Sequence, residues 1–372
     1  ARGQWFDPTS RYHCMMKKEY YYFVDFLRWV SAMAVIFYHY SEHFQIKNIK
    51  DSEFFNLILE NSHYGAYGVW VFWIISGFVF SNIYINTKNN VGEFFIKRFA
   101  RLYPLHFMTL IIVALLQSYS LKEFGHWQMH LFQSNTDLYS NDIYYFIRNL
   151  FFINNGHSFN VVLWSVSVEI PVYFMFFYFV TYSKNNFFLK TVIIVFLLWL
   201  NLRLNFLYYH LTLCMFYFFL GVLLYLLCTK FKKYNIFLLI LSLIGILITP
   251  FLYELKNVAL LIKFKNYIPT SLLFFSSLIV FVFSLEKYFY NFGQKIKFLG
   301  DSSYGVYLIH FPIQVLILIL IDHNFLSLEQ LKSYKAFLFF LIITNVASYI
   351  SFKLFEMPSR KKIIKYFIRE KT

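Results

Sequence analysis

Two side chains of different chemistry share one stripe of an otherwise apolar stretch. Arg28 and His39 are eleven positions apart, and Asp25 stands one turn before Arg28. At about 100° per residue, eleven residues turn ~1100°, within about 20° of three full turns. A helix here therefore sets Arg28 and His39 on one face, ~16 Å apart along the axis. The pattern places a charge pair near one end of a helix and an imidazole far up the same face. A neutral imidazole is a general base, and a guanidinium is a planar fork for phosphate oxygens. Each residue alone has a plainer reading: an arginine that snorkels to the membrane surface and a histidine bonded to a neighbouring helix.

Three further sets carry polar groups that apolar helices do not need. In Lys97-Arg98-Phe99-Ala100-Arg101-Leu102-Tyr103-Pro104, Arg98 and Arg101 are i, i+3 and face one way. They suit a pair of phosphates, or simply anchor the chain to lipid headgroups. In Trp164-Ser165-Val166-Ser167-Val168-Glu169, Glu169 follows Ser165 by about one turn. Its carboxylate can orient an imidazole, hold a sugar hydroxyl, or pair with another helix. In the stretch 300–310, Ser303, Tyr307 and His310 fall on one side, and His310 is either functional or a packed core histidine. His43, His63, His126, His130, His157, His210 and His323 are expected in or near extracytoplasmic loops. His126 and His130 are i, i+4, but no carboxylate stands at matching spacing, so no metal is expected. No phosphate-binding glycine loop, dinucleotide fingerprint or CxxC pair is present.

The elements that must position these residues are membrane helices. Of 372 residues, 59% are hydrophobic, 24% aromatic and 14% charged. Soluble domains are about 45–50% apolar and about 25% charged. A cytosolic globular enzyme, a disordered chain and a nucleic-acid-binding module are thereby excluded. Cys214 and Cys228 lie fourteen residues apart in one apolar run. On a helix that is ~21 Å, too far for a disulfide; Cys14 stands alone. A bilayer core needs ~20 apolar residues per crossing. Ten stretches qualify: 22–41, 64–85, 102–121, 161–182, 188–202, 204–229, 234–253, 266–285, 302–321 and 336–352.

The net charge of +15 fits this view. With ten spans and both termini cytoplasmic, the inner segments hold 23 Lys and Arg and the outer ones 10, with Arg28 inside the first span. That asymmetry is the positive-inside pattern. The fold class expected is an all-α polytopic bundle of about ten transmembrane helices. Residues 1–15 read as a non-core tail, with a natural start expected at Met15 or Met16, and 16–372 as one transmembrane domain. The longest outer segment, 118–160, contains a stretch, 144–153, apolar enough to dip into the membrane. No internal repeat is visible.

Taken in order, these stretches resemble acyltransferase family 3, a large family of membrane acyltransferases. The opening Arg-(ten residues)-His appears as Arg28 and His39. The second-helix pattern appears as YGVWVFWIISGFVFS, with Gly68, Ser76, Gly77 and Phe78. Arg-x-x-Arg with a following Tyr-Pro appears as Arg98, Arg101, Tyr103 and Pro104. Trp-Ser-x-Ser-x-Glu appears as Trp164 to Glu169, the Ser-Tyr-Gly-x-Tyr-Leu-x-His pattern as Ser303 to His310, and a closing Glu-x-Pro as Glu356 and Pro358. Pro171, Val172 and His106 depart from the usual residues.

The resemblance implies transfer of an acyl group, most often acetyl, from cytoplasmic acetyl-CoA or another acyl-CoA to a carbohydrate hydroxyl at or beyond the outer face. The setting implied is a bacterial cytoplasmic membrane. Its acceptors include O-antigen, capsule and exopolysaccharide sugars, peptidoglycan and small glycosides, with a surface polysaccharide favoured. On this reading Arg28, Arg98 and Arg101 hold the donor phosphates and His39 is the base. Asp25 fixes Arg28, and Glu169, Tyr307 or His310 orient the acceptor or stabilise the oxyanion, with Trp164 and Ser165 in support. An acyl-histidine intermediate is the competing route. The partners expected are acyl-CoA, a carbohydrate acceptor and membrane lipids; no nucleic acid or metal is expected. Two other classes stay open at this stage: a transporter or flippase for lipid-linked sugars, and a non-catalytic envelope partner.

Overall fold

The structure is a computed structural model. It describes residues 19–46, 67–85, 90–128, 143–153, 159–183, 185–204, 207–255 and 268–368, with residues 49, 52–54, 56, 65 and 87 between them. Cys14, His63, His130, His157 and the proposed start at Met15 or Met16 lie outside the described residues.

The described chain is helical, without a strand element. In chain order the helices are α1 (Tyr22–His43), α2 (Gly68–Tyr84), α3 (Val91–Phe124), α4 (Ile143–Leu150), α5 (Leu163–Tyr182), α6 (Phe187–Leu204), α7 (Tyr209–Lys230) and α8 (Asn235–Leu255). They are followed by α9 (Ile268–Asp322), α10 (Leu328–Leu331), α11 (Tyr334–Ser351), a π-helical turn (Phe352–Glu356) and α12 (Met357–Phe367). Among the described residues, seven helices are long and apolar enough to cross a membrane. Helix α1 is not among them, since it carries Asp25, Arg28, His39 and Glu42, and α2 is apolar but only 17 residues long. Large apolar side chains face outward on α6 and α8, such as Phe196, Leu197, Ile240 and Phe251. An exposed apolar surface of this extent needs lipid, not water, as its solvent. The protein is an all-α, multi-pass membrane protein.

Each of the ten apolar stretches falls on a helix, but the segments between them differ from expectation. Helix α9 spans 55 residues as two helical arms that meet at a kink, where Phe289 has non-helical backbone angles. At 1.5 Å per residue it would be ~80 Å long, far more than the ~30 Å hydrocarbon core. It therefore carries two of the apolar stretches, and residues 286–301 between them are helix instead of loop. The boundary between the fifth and sixth stretches also moves: α6 continues to Leu204 and α7 begins at Tyr209. The Asn201 amide donates to Thr212 Oγ1 (2.9 Å) across that turn. Pro171 does not break α5, which runs through it. His106 has a structural partner, the Asn149 carbonyl 2.8 Å away, which fastens the short α4 to α3.

Helix α1 is the hub. It runs parallel to the second arm of α9, pairing Tyr22 with Gly293, Asp25 with Gly300, and His39 with His310. Helix α2 packs antiparallel on a second side, where a Cβ at Gly68 would meet the Ser31 carbonyl at 2.6 Å. Helix α11 runs antiparallel on a third, with the Trp29 indole N–H donating to Asn345 Oδ1 (2.8 Å) and Tyr40 O–H to the Leu331 carbonyl (2.8 Å). The Phe23 backbone N–H at the start of α1 donates to Glu286 Oε1 of α9.

A second close crossing joins α2 and α7. A Cβ at Gly77 would overlap the Phe218 carbonyl oxygen, and a Cβ at Gly221 would overlap that of Ile74. Small residues let two backbones touch where lipid supplies no hydrophobic drive between helices. Trp73, Phe78, Phe216 and Phe218 fill the space around the crossing and are almost fully buried. Gly77→Val and Gly221→Val should each destabilise the fold by at least about 1–3 kcal/mol. The check is the thermal midpoint of the detergent-solubilised protein, with the outward-facing Leu115→Ala changing it little.

Candidate active site

At one end of the bundle four guanidiniums converge from three helices. Arg28 Nη1 on α1 is 2.6 Å from Asp25 Oδ1, in a largely buried ion pair. Arg98 on α3 lies with its guanidinium 4.4 Å from the Phe80 ring centroid, and Nη2 donates to the Tyr84 hydroxyl (3.2 Å). Arg98 Nε is buried without a hydrogen-bond partner. Arg101 lies within electrostatic reach of Arg28, Arg98 and Asp25, and Arg360 on α12 within reach of Arg101 and Arg98. Helix α12 packs against α3, and the π-helical turn before it brings Glu356 beside Arg101. Asp25 pairs with Arg28 at contact distance, while neither Arg101 nor Arg360 has a contact ion pair with a described carboxylate. Asp301 and Glu356 lie within electrostatic reach of Arg101, and Asp301 of Arg360, but not at contact; a small polyanion set among the guanidiniums would pair with them directly.

Glu169 on α5 stands beyond this cluster. Arg28, Arg98, Tyr304 and Tyr307 are within its electrostatic reach, and the Ser76 and Tyr173 hydroxyls are beside it. Its Oε1 is sealed off without a hydrogen-bond partner. Tyr307 O–H donates to the Val162 carbonyl (2.9 Å) and lies 2.7 Å from Ser165 Oγ. These bonds tie the start of α5 to α9, so Ser165 and Tyr307 hold the scaffold beside Glu169. Tyr304 O–H donates to the Leu102 carbonyl (3.0 Å), fastening α9 to the helix that carries Arg98 and Arg101. Trp164 is half-buried, edge-on to Trp73 and to His210 at the start of α7.

Farther along α1, three imidazoles gather. His39 Nδ1 is 2.8 Å from His310 Nε2. His43 stacks on His39, with ring centroids 4.8 Å apart and planes 7° from parallel. His43 Nδ1 is 2.8 Å from Gln314 Oε1. His310 and Gln314 are fully buried, whereas His39 is only partly so. Among the described residues no group of three or more His, Cys, Asp or Glu side chains is arranged to hold a metal ion.

The sequence-predicted residues thus gather along the α1–α9 contact and on the helices beside it. Arg28, Arg98 and Arg101 come together, Glu169 stands next to them, and His39 and His310 meet farther along the α1–α9 contact. His43 is a correction: it belongs to the last turn of α1 and stacks on His39, not to a loop. Its i+4 spacing from His39 was the available signal, as was that of Gln314 from His310. Arg360 and Glu356 also join the site. Arg360 lies one turn beyond Glu356 and reads, from sequence alone, as ordinary tail charge.

The structure is thus a helical membrane bundle with an arginine cluster at one end and an imidazole cluster farther along the same helix. The acyltransferase-domain family, acyltransferase family 3, matches residues 21–354, and the chain belongs to it. The chain is also 33% identical over 90 residues to acyltransferase MdmB of Streptomyces mycarofaciens, which covers 24% of this chain and 22% of that protein. It thus spans less than a quarter of that relative. No solved structure matches the chain.

The arginine cluster predicts that a small polyanion stabilises the fold. At about a hundredfold excess over its Kd, inorganic pyrophosphate should add ~2.7 kcal/mol, raising the thermal midpoint. Arg101→Ala and Arg360→Ala should each shrink that rise. An equal rise in both variants would place the anion elsewhere.

Proposed function

We propose that the protein transfers an acyl group, acetyl by preference, from acyl-CoA to a hydroxyl of a cell-surface or lipid-linked carbohydrate. On this reading it sits in a bacterial cytoplasmic membrane, crosses it about ten times and keeps both termini inside. The observation that carries the proposal is the pairing, along α1, of an arginine cluster with a partly buried imidazole. Arg28 and His39 stand ~16 Å apart along that helix, a span on the scale of an extended pantetheine arm.

Arg28, Arg98 and Arg101 bind the 3′-phosphate and pyrophosphate of the donor. Asp25 keeps the Arg28 fork oriented, and the stack on Phe80 does the same for Arg98. The arm then carries the thioester toward His39. Neutral His39 accepts the proton of the acceptor hydroxyl as its oxygen attacks the thioester carbonyl. The carbon–oxygen bond forms, the carbon–sulfur bond breaks, and the thiolate leaves and takes up the proton, giving the ester and free CoA. Glu169 receives the acceptor: the support is its place beside the arginine cluster, with the Ser76 and Tyr173 hydroxyls next to a carboxylate whose Oε1 has no hydrogen-bond partner. Trp164 offers an aromatic face for a sugar ring, and Ser165 and Tyr307 hold α5 in register.

Loss of the base typically costs 10²–10⁴-fold. His39→Ala, folded and still binding donor, should therefore lower kcat by at least about 10²-fold, read as radiolabelled acetyl transfer into glycan. A folded variant with wild-type rate removes His39 as the base. Arg98→Ala and Arg101→Ala should each raise the donor KM about tenfold, the loss of one charge-assisted contact, with little change in kcat. Glycans from a strain lacking the gene should lose one acetyl mass on one sugar.

A further inference from the structure

The hydrogen bonds around His310 fix which nitrogen of His39 can act. His310 Nδ1 lies 3.2 Å from the Val306 carbonyl oxygen, one helical turn back. The Tyr307 carbonyl is a second acceptor within reach of the same ring. A carbonyl oxygen only accepts, so His310 Nδ1 carries the hydrogen. In a neutral imidazole the other nitrogen, Nε2, is then a bare lone pair. That lone pair faces His39 Nδ1 at 2.8 Å. His39 Nδ1 must in turn be the donor, which leaves the lone pair of His39 on Nε2.

His39 Nε2 makes no hydrogen bond to a described residue, and the His39 side chain is only partly buried. His310 is fully buried behind it. We infer that His310 is a positioning residue: the backbone carbonyls of α9, acting through His310, lock His39 in the tautomer whose free Nε2 faces the substrate. The inference rests on His39 being the base and deepens that reading.

The arrangement does what the aspartate does for histidine in a Ser-His-Asp triad, with a neutral ring in place of the carboxylate. Inside an apolar bundle that substitution avoids burying a full charge beside the base. It also serves the reaction. When Nε2 of His39 takes the hydroxyl proton, the imidazolium donates from Nδ1 to His310 Nε2. The proton between the rings can move to His310 without breaking any other bond, since His310 Nδ1–H stays on its carbonyl acceptor. The positive charge is spread over two rings that already point at carbonyl dipoles.

Solid-state nitrogen-15 NMR of the full-length protein, labelled at histidine and reconstituted in lipid, reads the tautomer without any turnover. The His39 signals are assigned by their loss in His39→Asn. Wild-type His39 is expected with Nδ1 protonated and Nε2 bare. His310→Leu should release His39 into the ordinary mixture of tautomers. It should also lower kcat by about 10²-fold or more with the donor KM within about twofold of wild type. His310→Gln, whose Oε1 can accept from His39 Nδ1, should restore the tautomer and most of kcat. The inference is overturned if wild-type His39 has Nε2 protonated, if His310→Leu keeps wild-type kcat, or if folded His310→Gln is as defective as the leucine variant. Should the leucine variant not fold, the wild-type spectrum and His310→Gln decide alone. A folded His39→Ala with full activity would instead overturn the base assignment, whatever the spectrum shows.

Discussion

A helix that carries Asp25, Arg28, His39, Glu42 and His43 is a poor membrane span by composition, and its stability depends on what lies beside it. The contact that makes it possible is the parallel run of α1 along the second arm of α9. Gly293 and Gly300 are seven residues apart and so lie on one face of α9. At both, a Cβ would come within 2.8 Å of a side chain on α1. Removing those two Cβ atoms lets the backbones close up around Asp25. Farther along, where α9 changes from glycine to histidine and glutamine, the same contact supplies polar partners instead, and His39 and His43 find His310 and Gln314. Ionisable groups in a membrane cost roughly 2.5–3.5 kcal/mol each on insertion scales. Here the cost is offset pair by pair along one seam.

The rest of the bundle works around that seam. Helices α2 and α11 pack on two other flanks of α1. Helix α3 brings two arginines to the end where Arg28 stands, and Tyr304 ties it to α9 through the Leu102 carbonyl. The outermost helices, α6 and α8, contribute little burial and present apolar faces outward. The division is between an inner group that holds chemistry and an outer group that meets lipid. Acyl transfer suits such a plan, because it needs no bound metal to polarise the thioester if proton acceptance and anion binding are already in place.

Much of this was legible in the sequence because the chemistry-bearing residues recur at helical spacings. The interval from Arg28 to His39 gave a shared face directly, and Arg98 with Arg101 gave a second. The apolar stretches located every helix that carries a predicted site residue, but not α12, which brings Arg360. What the sequence did not disclose came from partners distant along the chain. Nothing in the local pattern around His310 says that its partner lies 271 residues away. Arg360 sits among lysines near the end of the chain and is set apart from them by packing against α3, not by its neighbours in sequence. The 55-residue helix was missed because charged residues in 286–301 read as a loop, although Lys, Glu and Gln are good helix formers. His43 was assigned to a loop because the span was ended at a polar cluster that in fact completes the last turn.

The turn at Phe352–Glu356 sets a phase. A π-helical turn inserts one residue relative to the α-helical repeat, which advances everything after it by about 100° around the axis. Helix α12 keeps the direction of α11 but not its azimuth. Without that extra residue, the side of α12 that carries Arg360 would rotate by more than a quarter-circle away from α3, with no change in amino-acid type at any remaining position. The closing segment therefore encodes an angle, and a one-residue deletion there is a rotation of the fourth guanidinium away from the other three.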